Sequence, residues 1–238
     1  MVGSIFPLAV DNVRVEKRGA RLLGPLSLDL NPSGVTIIIG PNGSGKTTLL
    51  RLMHGLERPR GGDVRWAVPD TVAQQRQAFV FQTPIILRRT VRENIAFPLL
   101  LQKVAKREAF EVADHWLARV GLAKAARLNA TVLSGGEKQK LAIARSLVRQ
   151  PELLFLDEPT TNLDGKSTRE IEAILAAAVA DGLHVIMTTH DMGQARRLAD
   201  EVVFLYQGQV HERNTGERFF ADQQTKEARA FIKGDIVE

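Results

Sequence analysis

Apolar positions along this chain change period several times, and each change marks an element. Leu8 to Val15 alternates loosely, as a first strand does. Leu22 to Leu30 sets Leu26, Leu28 and Leu30 on one face, which predicts an edge strand. The turn signal Asn31-Pro32-Ser33-Gly34 follows, and the unbroken run Val35 to Ile39 then predicts a strand buried on both faces. Gly40 to Gly45 reads as a loop. Lys46 to Gly55 returns to helical spacing through Leu49, Leu50, Leu52 and Met53 and stops at Gly55.

Phe79-Val80-Phe81 predicts another short strand, and Arg92 to about Gly121 a helical stretch carried by Phe110, Ala113, Leu117 and Val120. Gly136 to Arg149 is a further helix, closed by Gln150-Pro151. Strand Leu153–Asp157, helix Lys166–Ala180, strand His184–Thr189 and helix Gly193–Ala199 then alternate. Glu201 to Tyr206 and Gln209 to Glu212 flank Gln207-Gly208 as a hairpin. The tail from Gly216 to Glu238 is partly helical with no fold signal of its own.

This order predicts an α/β chain with a parallel-sheet core and an inserted helical block. The expected division is one domain over residues 1–238. Its core is 1–83 and 149–215, its helical subdomain 84–148 and its tail 216–238. No repeat, low-complexity tract or linker divides it.

Composition narrows the classes rather than choosing one. The 238 residues are 44% hydrophobic and 25% charged, which suits a globular protein with a sizeable core. With no cysteine, disulfides, thiolate nucleophiles and Cys-ligated zinc are excluded. Residues 1–10 lack a signal-peptide pattern, and no apolar run approaches the roughly 20 residues of a membrane span. The net charge of +5 fits equally a basic surface and contact with nucleotide, membrane or an acidic partner.

The chemistry concentrates in three places. Gly40-Pro41-Asn42-Gly43-Ser44-Gly45-Lys46-Thr47 is a full G-x-x-x-x-G-K-S/T phosphate loop between a predicted strand and helix, continued by Thr48. Glycines let backbone N–H groups wrap phosphate oxygens, and the helix start adds partial positive charge. Lys46 is expected on the β- and γ-phosphates and the Thr47 hydroxyl on Mg²⁺. Second, Asp157 and Glu158 end the apolar run Leu153–Leu156, where α/β sheets bind ligands. Alone, paired acids after a strand more often cap a helix. Beside a phosphate loop, Asp157 is expected to hold Mg²⁺ and Glu158 to polarise the attacking water. Third, Leu133-Ser134-Gly135-Gly136-Glu137 opens a second helix with a hydroxyl, bare N–H groups and a dipole, again suited to an anion.

That third segment resembles the LSGGQ signature of ABC ATPases, and the likeness extends over nearly the whole chain. It implies the ABC ATPase fold: a P-loop core with a parallel sheet, an N-terminal antiparallel β subdomain and the helical insert. It also implies that the signature of one subunit closes on the γ-phosphate held by the P-loop of another. In the family's pattern Gln82 matches the Q-loop glutamine, which senses Mg²⁺ and the attacking water. Asp164, in Thr161-Asn162-Leu163-Asp164, matches the D-loop, and His190 the switch histidine on the γ-phosphate. Three positions depart from the family. Where an aromatic usually stacks on adenine, the chain reads Glu16-Lys17-Arg18-Gly19, so either Lys17 or Arg18 packs over the base or adenine is held loosely. Glu137 replaces glutamine, and Lys138 and Lys140 stand where arginine is frequent.

The resemblance implies MgATP as substrate, with Mg²⁺ as cofactor, and a second ATPase subunit, expected to be another copy. It implies transmembrane permease subunits, an extracytoplasmic solute-binding protein in the full system, and no nucleic acid. The expected place is the cytoplasmic face of the inner membrane, as a peripheral subunit. A free-standing cassette with this distal segment and tail looks like the ATPases of oxyanion importers of the tungstate, molybdate or phosphate type. A soluble ABC ATPase of translation or DNA repair is the alternative, and a P-loop enzyme outside the family, which would lack the signature, is a third.

Overall fold

The structure is a computed structural model that describes residues 3–32 and 34–235. Ser33 of the turn signal, residues 1–2 of the N-terminal stretch and residues 236–238 of the tail lie outside the described residues.

Two sheets form. The first is antiparallel, in the order β2-β1-β4, from β1 (Leu8–Lys17), β2 (Ala20–Leu30) and β4 (Gly61–Trp66). The second has β3 (Val35–Ile39), β5 (Gln77–Val80), β6 (Leu153–Asp157), β7 (His184–Thr188), β8 (Glu201–Tyr206) and β9 (Gln209–Thr215), in the order β5-β6-β7-β3-β8-β9. Its first five members are parallel, and β9 returns antiparallel at the edge. Gln207 and Gly208, at φ 47° and 75°, supply the positive-φ pair that a two-residue hairpin turn requires.

The central strands bury both faces, and their side chains alternate between two apolar clusters. Ile38, Phe155 and Ile186 face the antiparallel sheet together with Leu49 and Leu50 of α1 (Lys46–His54). Ile37, Ile39, Leu154, Leu156 and Met187 face the other way. There they meet α5 (Gly135–Leu147), α6 (Gly165–Ala180) and α7 (Met192–Leu198). Because β6, β7 and β3 are neighbours, the chain leaves their C-terminal ends at Glu158, Thr189 and Gly40 side by side. In open α/β sheets this is where ligands bind.

Several elements differ from the sequence reading. The stretch expected as one helix from Arg92 to Gly121 is two, α3 (Val91–Leu101) and α4 (Lys106–Arg119). Lys103 between them sits at φ 63°, which no helix continues through. Strand β4 and helix α2 (Asp70–Gln75) occupy a region without a predicted element. The sheet face of β4 offers only Val64 and Trp66, both half-buried, so its apolar alternation is short. The tail is not free of the fold. Within α8 (Gly216–Ala221) and α9 (Lys226–Lys233), Phe219 is fully buried and Phe231 lies 5.5 Å, ring to ring, from Phe204 of β8. Residues 84–148 hold α3, α4, α5 and two 3-10 turns, and their apolar side chains join the cluster under the sheet.

Candidate active site

The phosphate loop enters α1 without a side-chain cap. Gly45 stands at φ 98°, the first turn holds no acid, and Gly43 is at φ 80°. A Cβ on Gly45 would lie 2.7 Å from Leu23 Cδ2 and 2.8 Å from the Leu22 carbonyl, so only glycine fits this approach. Ser44 is 3% exposed, and among the described residues its hydroxyl has no hydrogen-bond partner. A buried polar group left unpaired costs about 1–3 kcal/mol, a penalty that an incoming phosphate oxygen removes. Lys46 donates to the Gly40 and Pro41 carbonyls at 2.8 and 3.0 Å, folded across the loop it is meant to serve. Burial lowers its pKa, against the opposing pull of the Glu158 and Asp157 carboxylates.

The acids of β6 take different roles. Asp157 is 2% exposed and accepts from the hydroxyls of Thr47 and Thr188, both at 2.9 Å on Oδ1. Thr47 and Asp157 thus present two hard oxygens together. This donor set suits Mg²⁺, which is commonly held by one or two protein oxygens and completed by phosphate and water.

Glu158 lies beyond the strand end at φ 46°, in the left-handed region, where a residue with a Cβ is strained. Its N–H donates to Thr188 Oγ1 at 3.0 Å, which helps to hold that backbone. One carboxylate oxygen, Oε2, gathers three side chains: Gln82 Nε2 at 3.2 Å, Thr161 Oγ1 at 3.0 Å and His190 Nδ1 at 3.2 Å. The expected trio of Gln82, Glu158 and His190 therefore meets at a single atom. Thr161 and Thr188 were missing from that expectation. Both lie inside segments that the sequence marks, Thr161 at the start of Thr161-Asn162-Leu163-Asp164 and Thr188 in the strand before His190, but nothing in their spacing singles them out within those segments.

A hollow of about 250 Å³ is lined by Leu22, Asn42, Gly43, Gly45, Lys46, Thr47, Thr48 and Glu158. The early hairpin thus contributes Leu22 to it, whereas Lys17 and Arg18 are exposed at the tip of the hairpin, where Lys17 pairs with Ala20. Phe6 is spent in the core, edge-on to Trp66 and His184.

The signature residues stand elsewhere. Ser134 caps α5, its hydroxyl accepting from Glu137 N at 3.3 Å while Glu137 Oε2 accepts from Ser134 N at 2.9 Å. The bond from the Ser134 N–H to the carboxylate, followed by the nearby Ser134 hydroxyl, lowers the Glu137 pKa. Gly136 is packed so tightly that a Cβ would meet Ser167 Oγ at 2.4 Å. Gly135 and Lys138 line a separate hollow of about 490 Å³ with Gln82, Thr161, Asn162 and Leu163. Lys140 pairs with Glu170 at 2.7 Å. Asp164 caps α6, accepting from Lys166 N and Ser167 N at 2.9 and 2.8 Å. Within one chain, then, the second phosphate-seeking helix start does not line the hollow of the first.

Comparison with known proteins gives concordant results. A family model described as ABC transporter matches residues 23–161. The chain is 39% identical to a phosphate import ATP-binding protein of Natronomonas pharaonis, over 97% of this chain and 87% of the relative. It is 38% identical to the tungstate uptake system ATP-binding protein of Peptoclostridium acidaminophilum, over 86% of this chain and 97% of the relative. An arginine transport ATP-binding protein of Bacillus subtilis is 35% identical, over 89% of this chain and 92% of the relative. Among solved structures, a dimeric ATP-binding cassette in a post-hydrolysis state with ADP and Pi superposes with a TM-score of 0.76 at 28% identity, over 87% of this chain and 98% of that one.

Proposed function

The chain belongs to the ABC transporter family and is an ATPase, and from that premise we propose that it energises a membrane importer of a small solute. The observation that carries the catalytic assignment is the convergence of Gln82, Thr161 and His190 on Glu158 Oε2, beside a phosphate loop with an unpaired buried hydroxyl.

In this reading Gly40 to Thr48 cradle the phosphates, with Lys46 exchanging its carbonyl partners for β- and γ-oxygens. Thr47 and Asp157 would hold Mg²⁺, with Gln82 as a further ligand from beside Glu158, and the ion would supply charge neutralisation to the phosphates. Glu158 accepts the proton of the attacking water, and His190 orients Glu158 and contacts the γ-phosphate. Leu22 offers an apolar surface at the mouth of the hollow for the base, with Lys17 or Arg18 able to fold over it from the hairpin tip.

The signature Ser134-Gly135-Gly136-Glu137 and the D-loop around Asp164 act on a nucleotide held by a second subunit, taken to be another copy of this chain. Support comes from the separation of the two hollows and from the dimeric relative. Membrane permease subunits dock over residues 83–101, where Ile85 and Leu101 are 60% and 68% exposed while Ile95 and Leu99 serve the core. Among the described residues no helix is long and apolar enough to cross a membrane. That suits a peripheral subunit at the cytoplasmic face, with a solute-binding protein completing the system. An oxyanion is the favoured solute, on the likeness to the phosphate and tungstate relatives. The arginine relative, at similar identity, makes an amino acid the rival.

Substituting Glu158→Gln tests the assignment. ATP binding is expected to persist, an ATP-bound dimer to accumulate on size exclusion, and turnover to fall by on the order of 10²–10⁴. Undiminished hydrolysis would overturn it. ATPase stimulation by the cognate membrane subunits, with a panel of loaded binding proteins, separates oxyanion from amino acid.

A further inference from the structure

The loop that follows Gln82 leads from the active site towards the exposed apolar residues, and its attachments are specific. Asn94 of α3 is fully buried and has no part in the chemistry above. Its Oδ1 accepts from Leu87 N at 3.0 Å, and its Nδ2 donates to the carbonyls of Leu87 and Thr90 at 3.1 and 3.0 Å. The same Oδ1 accepts from Arg145 Nη1 at 3.2 Å, while Arg145 Nη2 donates to the Ile85 carbonyl.

Arg145 belongs to α5, the helix that begins at the signature. Burial lowers its pKa, and its hydrogen bonds go to an amide oxygen and a backbone carbonyl rather than to a carboxylate. A partly buried guanidinium thus spends its charge on two neutral oxygens. Its fork of donors suits that task, because one side chain can grip the loop at Ile85 and Asn94 together, whereas an ammonium is a single point. The remaining backbone anchors of this stretch also run to the helical block: Ala130 N donates to the Arg89 carbonyl at 2.9 Å and Val91 N to the Leu128 carbonyl at 3.0 Å.

We propose that Arg145 and Asn94 are positioning residues that fasten the loop 85–90 to the signature helix, so that this loop and the Ser134 start move as one body. A straight helix carries the link from Arg145 to Ser134 over about 16 Å at 1.5 Å per residue. A displacement at the exposed end of the loop then reaches the signature directly, without passing through the phosphate loop. This rests on the paired-ATPase reading above.

Hydrogen–deuterium exchange of the full chain tests it, with Arg145→Met removing the fork and Arg145→Lys keeping the charge and one contact. Without nucleotide, peptide 85–90 in Arg145→Met should exchange about tenfold faster, with peptides 40–48 and 134–140 unchanged and Arg145→Lys intermediate. With MgATP in a Glu158→Gln background, peptides 85–90 and 134–140 should slow together, by about threefold or more. Arg145→Met should abolish the slowing of 85–90 alone. An unchanged 85–90 peptide in nucleotide-free Arg145→Met overturns the proposal. So does acceleration spread evenly over α3, α5 and the loop, which marks lost global stability. Failure of the ATPase reading looks different, because peptide 40–48 would then ignore MgATP in every variant while the nucleotide-free comparison still decides the clamp.

Discussion

Two helices in this protein begin at an anion-seeking sequence, and they begin in opposite ways. Helix α1 opens from Gly45 with no side-chain cap, no acid in its first turn and an unpaired Ser44 hydroxyl beside it. Helix α5 opens from Ser134 with both halves of a capping box in place and the Glu137 carboxylate on the Ser134 N–H. Every helix leaves four N–H groups without an intrahelical partner. The first helix leaves that demand to be met by its substrate. The second meets part of it from its own side chains, and so is stable while no nucleotide faces it. In the paired reading proposed above, a start that waits for another subunit gains from such a cap, whereas a start that holds substrate in every cycle is better left open.

The comparison can be broken most severely at Lys46. Lys46→Ala removes the one side-chain cation of the open start, and steady-state ATPase activity is expected to fall by on the order of 10²–10³. Full activity in that variant would mean that the backbone N–H groups alone do the work.

The far end of α1 gives the next effect. His54 is half-buried, edge-on to Phe79 and Phe155, and this burial pulls its pKa from 6.5 down to about 4. The unfolded imidazole takes up a proton near pH 6.5 and the folded one holds off until about 4, so stability is lost as pH falls through that window. Urea denaturation should show this group costing about 2 kcal/mol at pH 5 relative to pH 7. His54→Leu should remove that share of the pH dependence, and an equal loss in both chains would refute the assignment.

Smaller effects belong to the capped start. Ser134→Ala should lower thermal stability by about 1 kcal/mol through the lost cap and prevent the ATP-bound dimer of the Glu158→Gln background from forming. Glu137→Gln sharpens the contrast most finely, because the amide can still accept from Ser134 N while the negative charge is gone. The free chain should lose about 0.3–1 kcal/mol of helix-dipole stabilisation. The MgATP concentration for half-maximal dimer should drop about two- to fivefold by the same energy, since an acid no longer faces the γ-phosphate. An unchanged midpoint would show that the carboxylate points away from the partner's nucleotide.

How much of this was legible beforehand varied with the range of the interaction. The phosphate loop, the acids after Leu156 and the signature are local patterns, and each sits where its spacing implied. The capping box was legible too, since S-x-x-E is its sequence mark, although Glu137 drew notice only as a departure from glutamine. Strand β4 and helix α2 were not legible, because half-exposed elements carry little apolar periodicity. Neither was the break between α3 and α4, where the pattern runs on through a turn set by the backbone at Lys103. Leu22 escaped because an apolar residue on a strand looks like core until the phosphate loop folds beneath it.

The sequence by itself determined two glycine-bearing helix starts suited to phosphate groups and a pair of acids at the end of a buried strand. Those properties reside in runs of a few residues, whose backbone geometry is fixed by glycine, chirality and the order of strand, loop and helix. Only the tertiary structure decided that Gln82, Thr161 and His190 share one oxygen of Glu158, and that Arg145 reaches across to hold the loop beyond Gln82. Apart from Thr161, three residues from Glu158, these groups lie tens of residues apart along the chain. They meet because β5, β6 and β7 are neighbours in a parallel sheet and because buried polar groups must find partners. No local pattern encodes either condition.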